Sequence, residues 1–273
     1  MQPALPLELE RYIFELTSNS FWTCIPRLAL VACRVRNWVE PILYRTLILT
    51  KRTPRNVPIC SPETLQELLR TKTRKFIAAN VRNVFLYCVP MEQVPEILEH
   101  FENLQNIYLL PDTSGVSVGL PTGNNLQHLY CALVYIRNKL TDTIFARLTH
   151  LELFSGISDE NTASAIVALP SLSHLALDRV RNTGRLEAVF KILLASTRLR
   201  AILLLASVSA STMSQHGLEE DPRVVVVPDF DYLEDWARGA LFGDDFWARA
   251  DVLIAKRLSG EVPRTNFRLD SLY

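Results

Sequence analysis

The sequence predicts an α/β protein, a solenoid of short parallel strands with helical or irregular returns, preceded by a small helical module. Three observations carry that expectation. An apolar triplet, φ-x-x-φ-x-φ, recurs at near-constant spacing; helical periodicity fills most of the gaps; and the first 45 residues follow a different, amphipathic pattern. The triplets are Val81, Val84, Leu86; Leu104, Ile107, Leu109; Leu126, Leu129, Cys131; Leu148, Leu151, Leu153; Leu172, Leu175, Leu177; and Leu199, Ile202, Leu204. Their starts are 23, 22, 22, 24 and 27 residues apart. One triplet is common by chance in a Leu-rich chain, but six in near-constant register mark an internal repeat. A seventh copy is read at Arg223 to Val227, where Asp221-Pro222 opens a run of valines.

The N-terminal module spans residues 1–45. Leu5-Pro6 opens a helix with Pro in its first turn, and Leu5, Leu9, Ile13 and Leu16 mark one face. A polar, aromatic loop from Thr17 to Thr23 leads to a second helix, whose stripe is Leu28, Val31, Val35 and Trp38 and which Pro41 ends. The run Leu5-Pro6-x-Glu8-Leu9-x-x-x-Ile13-Phe14-x-Leu16, followed by Arg27-Leu28-Ala29-Leu30-Val31-Ala32-Cys33-Arg34, resembles the F-box. The ending Arg36 to Arg45 is similar to that of the fungal F-box-like repeat proteins. The chain departs from the family in a longer inter-helix loop and in Val35, where the family often has an aromatic residue, with Trp38 one turn later.

Residues 46–80 read as a linker and a first irregular repeat, and residues 81–228 as the solenoid. The last two positions of each triplet are two apart and share one face of a short strand. Stacked units of this length bury a continuous core that no single unit could bury. Glu92 to Phe101, Thr141 to Leu148, Asn161 to Leu169 and Leu186 to Ser196 carry helical periodicity. Pro111 to Asn125 lacks it and reads as an irregular return. These units resemble leucine-rich repeats through their L-x-x-L-x-L core, without the Asn ladder that usually follows the strand.

Residues 229–260 read as two helices. Asp231 and Asp244-Asp245 stand at N-cap positions, Gly243 lies between the helices, and Trp236, Phe242, Phe246, Trp247, Leu253 and Ile254 are the apolar surface. A solenoid end needs a cover, so the expected role is a C-terminal cap, with residues 261–273 a poorly ordered tail.

Composition narrows the function. Lys plus Arg (29) equals Asp plus Glu (29), so no global charge points to nucleic acid or to a membrane. Nine glycines leave little for Gly-rich phosphate loops. Five cysteines without a C-x-x-C pair argue against a disulfide framework or zinc ribbon and for a reducing compartment, cytoplasmic or nuclear. Gly115-Val116-Ser117-Val118-Gly119 spells the G-x-S-x-G nucleophile elbow, but helix-breaking Leu120-Pro121-Thr122-Gly123-Asn124 follows where that chemistry needs a helix. His128, His150 and His174 each precede the second apolar residue of a triplet and should form a ladder. Its end members are too far apart to share one metal ion. A basic stretch from Arg45 to Arg82 and an acidic one from Glu219 to Asp251 read as solvated or mutually complementary faces. The expectation is therefore no catalysis, no cofactor and no metal.

The resemblance implies a substrate-recognition adaptor of a cullin-RING ubiquitin ligase. The F-box-like helices would dock a Skp-type subunit through Leu5, Pro6, Leu7, Leu9, Ile13 and Val31, and the repeats would bind an unknown target protein. The alternative is a repeat scaffold without a ligase, in which the helices only cap the stack. Period-two alternation puts Phe85, Tyr87, Tyr108, His128, Tyr130, His150, Glu152, Phe154, His174 and Asp178 on the concave face, where they are expected to be solvent-facing and to bind the target. The imidazoles should then tune capture between roughly pH 5.5 and 7.5.

Overall fold

The computed structural model describes residues 5–50, 59–90, 92–110, 120, 123, 125–178, 186–205, 213 and 217–269. At its centre is one eight-stranded sheet in which all neighbours are parallel and spatial order follows chain order. The strands are β1 (Thr46–Thr50), β2 (Asn83–Tyr87), β3 (Asn106–Leu110), β4 (His128–Cys131), β5 (His150–Leu153), β6 (His174–Asp178), β7 (Ala201–Leu205) and β8 (Val224–Val227). All eighteen triplet positions are buried in a single core on one side of this sheet. The first residue of each triplet enters the core just before the strand; the other two point into it from alternate strand positions.

The returns lie against that core. They comprise α4 (Pro62–Thr71), α5 (Arg74–Asn80), α6 (Gln93–Glu99), α7 (Glu160–Val167) and α8 (Leu186–Ala195). Leu65 and Leu68, Ile77, Val94 and Ile97, Ala163 and Ile166, and Val189, Phe190 and Leu193 are their buried stripes. Local chemistry sets several starts. Ser61 Oγ accepts from Thr64 N ahead of Pro62, Thr73 accepts from Phe76 N, and Asp159 accepts from Thr162 N. Thr141 to Leu148 departs from the expected helix: only Thr143–Phe145 forms a 3-10 turn. Leu140, Ile144, Phe145 and Leu148 are buried all the same, so the apolar spacing reflected core contact rather than helix. The irregular return is only partly seen, and Gly115 to Gly119 lies outside the described residues.

Residues 46–80 are not a linker. They form β1, α4 and α5, and β1 completes the sheet beside β2. Tyr44, Leu47 and Leu49 repeat the triplet spacing there, but Tyr44 lies 37 residues before Val81, outside the 22–27-residue period of the later copies.

The largest departure concerns the C-terminal helices, α9 (Tyr232–Phe242) and α10 (Phe246–Ser259). They do not close an end of the stack; they cover the sheet face opposite the return helices. Leu233, Trp236, Ala237, Phe246, Trp247, Ala250, Leu253 and Ile254 pack there against Ile48, Phe85, Tyr108, Tyr130, Ala176, Leu203 and Val225. The molecule is thus layered as return helices, sheet and C-terminal helices. An all-parallel sheet generally has both faces covered, because its rows of apolar side chains leave no face suited to water. Asp231 and Asp245 cap the two helices, and Gly243 takes the left-handed conformation between them (φ 69°). Gly239 permits their close approach: a Cβ there would lie 2.4 Å from Asp245 Oδ2.

The segment after Gly260 is also tied down. Val226 N donates to Phe267 O, Leu269 N donates to Val226 O, and Phe267 joins the main core. Buried Arg257 anchors it from α10, donating to the carbonyls of Arg264, Pro222, Val224 and Glu219. The expectation of a loose tail is overturned for residues 261–269.

At the other end, α1 (Leu7–Ser20), a 3-10 turn at Trp22–Cys24, α2 (Ile25–Leu28) and α3 (Cys33–Leu43) share a small core of Ile25, Val35 and Val39. Phe14, Trp22, Leu28 and Trp38 surround it. The expected second helix is divided at 29–32, α1 runs through Thr17 to Ser20, and Pro41 sits inside α3 rather than ending it. Arg45 donates to Asn19 at 3.2 Å within this module, and Lys72 Nζ reaches Glu40 Oε1 at 2.7 Å, so part of the basic stretch ties the module to the end of α4.

Candidate functional site

Two regions carry the residues that the sequence points to. The first is the covered sheet face. Parallel register arranges its side chains in three transverse rows. Nearest the strand starts run Thr46, Asn83, Asn106, His128, His150, His174 and Ala201. In the middle run Ile48, Phe85, Tyr108, Tyr130, Glu152, Ala176, Leu203 and Val225. The third row, at the carboxyl ends, includes Thr50, Tyr87, Leu110, Phe154, Asp178 and Leu205.

The first row is a polar seam. Asn83 donates to Thr46 Oγ1 (2.9 Å), and Trp236 Nε1 of α9 donates to Asn106 Oδ1 (3.0 Å). The three imidazoles do form a ladder, with ring centroids 4.1 Å apart at each step and the rings near parallel. Trp247 of α10 lies edge-on against His150 and His174. Burial and the neighbouring imidazoles hold His128 down to about 4 and His150 down to about 2. Those two rings stay neutral across the range in which the sequence expected them to titrate, and that expectation is corrected. Ser173 Oγ, His174 and Asp251 make a hydrogen-bonded chain of 2.7 and 3.0 Å. Its hydroxyl–imidazole half is repeated one strand away by Thr149 and His150 at 2.8 Å. Among the described residues, no group of three or more His, Cys, Asp or Glu is placed to hold a metal ion.

The middle row is closed to solvent. Phe85, Tyr108, Tyr130 and Glu152 are all buried beneath α9 and α10, and His174 of the first row is buried with them. The expectation that these side chains face solvent is overturned, because two helices distant in sequence supply the cover. Tyr130 Oη accepts from Trp247 Nε1 at 2.9 Å, and burial first, then nearby acids, push its phenol well above the usual range. Glu152 is fully buried and neither carboxylate oxygen has a hydrogen-bond partner. Burial, with the fields of Asp178 and Asp235 behind it, raises its pKa well above that of an ordinary glutamate and favours the neutral carboxyl. Asp245 is raised to about 6, chiefly by burial. Asp235 accepts from Phe246 N at 3.0 Å and pairs with Arg249, which fixes the α9–α10 corner over the sheet.

The third row stays partly open. Tyr87, Phe154 and Asp178 are half-buried and, with Phe85, Tyr108 and Tyr232 of α9, line a cavity of about 350 Å³ at the carboxyl ends of the strands. Thr50, Leu110, Ala132 and Leu233 complete its wall. Sequence reasoning found Phe85, Tyr87, Tyr108, Phe154 and Asp178 of this cavity but not Thr50, Tyr232 or Leu233. The available signal was in β7 and β8: their uninterrupted runs, Ala201–Leu205 and Val224–Val227, are the pattern of strands buried on both faces.

The second region is α1 and the turn after α2. Leu5, Pro6, Leu7, Leu9, Ile13 and Val31 are all exposed. Tyr12, Leu16, Phe21 and Leu30, which the sequence reading did not place in this set, extend the patch. Among the described residues, nine of the thirteen exposed large apolar side chains lie between Leu5 and Val31. Leu9, Tyr12, Ile13 and Leu16 follow the i, i+3, i+4, i+7 spacing of a buried helix face, yet Leu9 is 51% and Ile13 48% exposed.

Comparison with known proteins defines no class. No family model matches this chain, and neither a curated protein nor a solved structure shows significant similarity to it. Among the described residues, no helix is long and apolar enough to cross a membrane.

Proposed function

We propose that this protein is a substrate-recognition adaptor: its N-terminal helices act as an F-box-like module that docks a Skp-type subunit of a cullin-RING ligase. The observation that carries the reading is the exposed apolar stripe of α1, continued by Leu30 and Val31. Single exposed apolar residues are ordinary, but a contiguous helical stripe flanked by Glu8, Arg11 and Glu15 is the form a helix takes when its partner lies outside the chain. The sheet is then read as a leucine-rich-repeat solenoid, a reading supported by parallel strands in chain order and by the triplets facing one core. Target contacts belong to the rim and outer surfaces, since the middle row of the sheet is occupied.

A scaffold without a ligase is the second reading. It is favoured by the tie between this module and the end of α4 through Glu40–Lys72, which suits an end cap. Co-purification separates the two. Leu9→Asp combined with Ile13→Asp should abolish capture of a Skp-type subunit while circular dichroism and melting stay near wild type, because both side chains are already half in water. A wild-type chain that captures no such subunit would sink the adaptor reading and leave the scaffold.

A further inference from the structure

The end of the sheet at β8 carries an inference that does not depend on the adaptor reading. A stacked sheet needs a cover at each end, and α9 and α10 lie across its face instead. The outer edge of β8 is closed by other means. Ile202 N donates to Arg223 O, so alternation turns Val224 and Val226 away from β7. Val224 N donates to Asp221 O at 3.1 Å, and Val224 O accepts from Arg257 at 2.6 Å. Pro228, the next outward position, has no N–H to offer. Val226 is left with both groups facing outward, and residues 267–269 take them. Val226 N donates to Phe267 O at 2.7 Å, and Leu269 N donates to Val226 O at 3.0 Å.

Those residues form a strap rather than a full strand. Phe267 packs on the main core and Leu269 on the cluster beneath α9 and α10, so the strap grips the edge from both faces. Gly260 turns the chain off α10 in the left-handed conformation (φ 78°), and residues 263–266 are exposed. Arg257, 2% exposed, latches the segment through the Arg264 carbonyl. A segment with so few buried contacts opens more readily than the strands it covers. Beneath it lies a run of four valines, Val224–Val227, with no charge among them. Uncovered, such an edge is a template for another chain. Val226 alone offers both an N–H and a C=O, so a second copy would pair with it about a two-fold axis, each Val226 donating to the other. The opposite edge is a poorer match, because Ile48 O already accepts from Cys60 N.

We propose that residues 261–269 are an autoinhibitory strap that keeps β8 from pairing with β8 of a second copy of this chain, and that its release yields a two-fold dimer. The test compares the full chain with one ending at Gly260, which keeps α10 whole, by light scattering and amide exchange. The truncation should show twice the mass of the full chain. The Val226 amide should exchange slowly in the full chain. In the truncation it should be slow when concentrated and fast after dilution, as the dimer parts. A truncation that melts cooperatively at an unchanged mass would overturn the proposal. So would a dimer whose Val226 amide exchanges freely, or graded aggregation of a cooperatively melting chain. If the truncation loses its cooperative melt, Leu269→Pro decides. It removes the N–H that donates to Val226 O, leaves every sheet residue in place, and should also raise the dimer fraction; an unchanged fraction would overturn the strap's role. Because α1 is common to all three chains, association through it alters the baseline and not the difference.

Discussion

The two ends of the chain make similar amphipathic helices and put them to opposite use. In α10, Phe246, Trp247, Ala250, Leu253 and Ile254 are buried against the sheet. In α1, Leu9, Tyr12, Ile13 and Leu16 have the same kind of spacing and face solvent. The difference lies in what each helix finds within reach. The C-terminal helices meet a sheet face whose middle row, from Ile48 to Val225, is apolar apart from Glu152 and otherwise bare. The N-terminal helices satisfy themselves around Ile25, Val35 and Val39, with Phe14 and Trp38 turned inward, and the outer stripe of α1 is left over. A helical stripe therefore identifies a surface to be covered; it does not say whether the cover is in the same chain.

The contrast can be broken most severely by truncation. Ending the chain at Asp229 should uncover the middle row and give aggregation without a cooperative melt, whereas removing residues 1–44 should leave one cooperative transition. A soluble, cooperatively unfolding C-terminal truncation would show that the sheet tolerates an open face. Point substitutions sharpen the same difference. Trp247→Ala should cost about 3–5 kcal/mol in urea unfolding, since it empties a buried site and removes the hydrogen bond to Tyr130. Leu9→Ala should cost less than about 0.5 kcal/mol, as expected for a surface position. Comparable losses in the two variants would mean that α1 has a buried partner after all.

The seam beneath α10 gives two smaller effects, distinguished by pH. His128 and His150 have pKa values lowered below the ordinary histidine value of about 6.5. Their contribution is therefore complete above that value and is lost as the pH falls toward 4, where the unfolded chain takes up protons that the ladder refuses. Replacing both with Phe, which keeps flat rings in register, should remove about 1–3 kcal/mol of acid destabilisation between pH 7 and 4. Parallel pH profiles for wild type and variant would contradict the neutral ladder. Glu152 has the reverse sign: its pKa is raised, so its favourable contribution is present at low pH and fades as pH rises above about 4.5. Glu152→Gln should therefore match wild type near pH 4.5 and gain about 1 kcal/mol over it by pH 8, the scale of one unsatisfied buried group. A gain that is independent of pH would place the penalty in packing instead.

Much of the sheet was legible because its signal is local. The spacing of Val81-Val84-Leu86 and its successors placed six strands, Asp231 and Asp245 announced their helices, and alternation correctly put Phe85, Tyr108 and Tyr130 on the face away from the return helices. β1 escaped because its triplet, Tyr44, Leu47 and Leu49, starts 37 residues before Val81, outside the period that tied the other six together. Residues 261–269 escaped for another reason. What holds them is the Arg257 guanidinium donating to backbone carbonyls, and an Arg in a sequence does not reveal that its partners are main-chain oxygens.

What the sequence determined by itself was the set of surfaces: one repeated apolar edge, one aromatic and histidine-bearing face, and two amphipathic helical ends. Periodicity encodes which side of an element is apolar, since that depends only on the geometry of a strand or helix. Tertiary structure decided the pairing of those surfaces. It sent α9 and α10 across the sheet, closed the rows through Tyr108, Tyr130 and Glu152, left the cavity beside Asp178 at the strand ends, and left the outer stripe of α1 exposed among the described residues. Burial is non-directional and weighs area rather than sequence distance, so which apolar surface meets which is settled only when the whole chain is assembled.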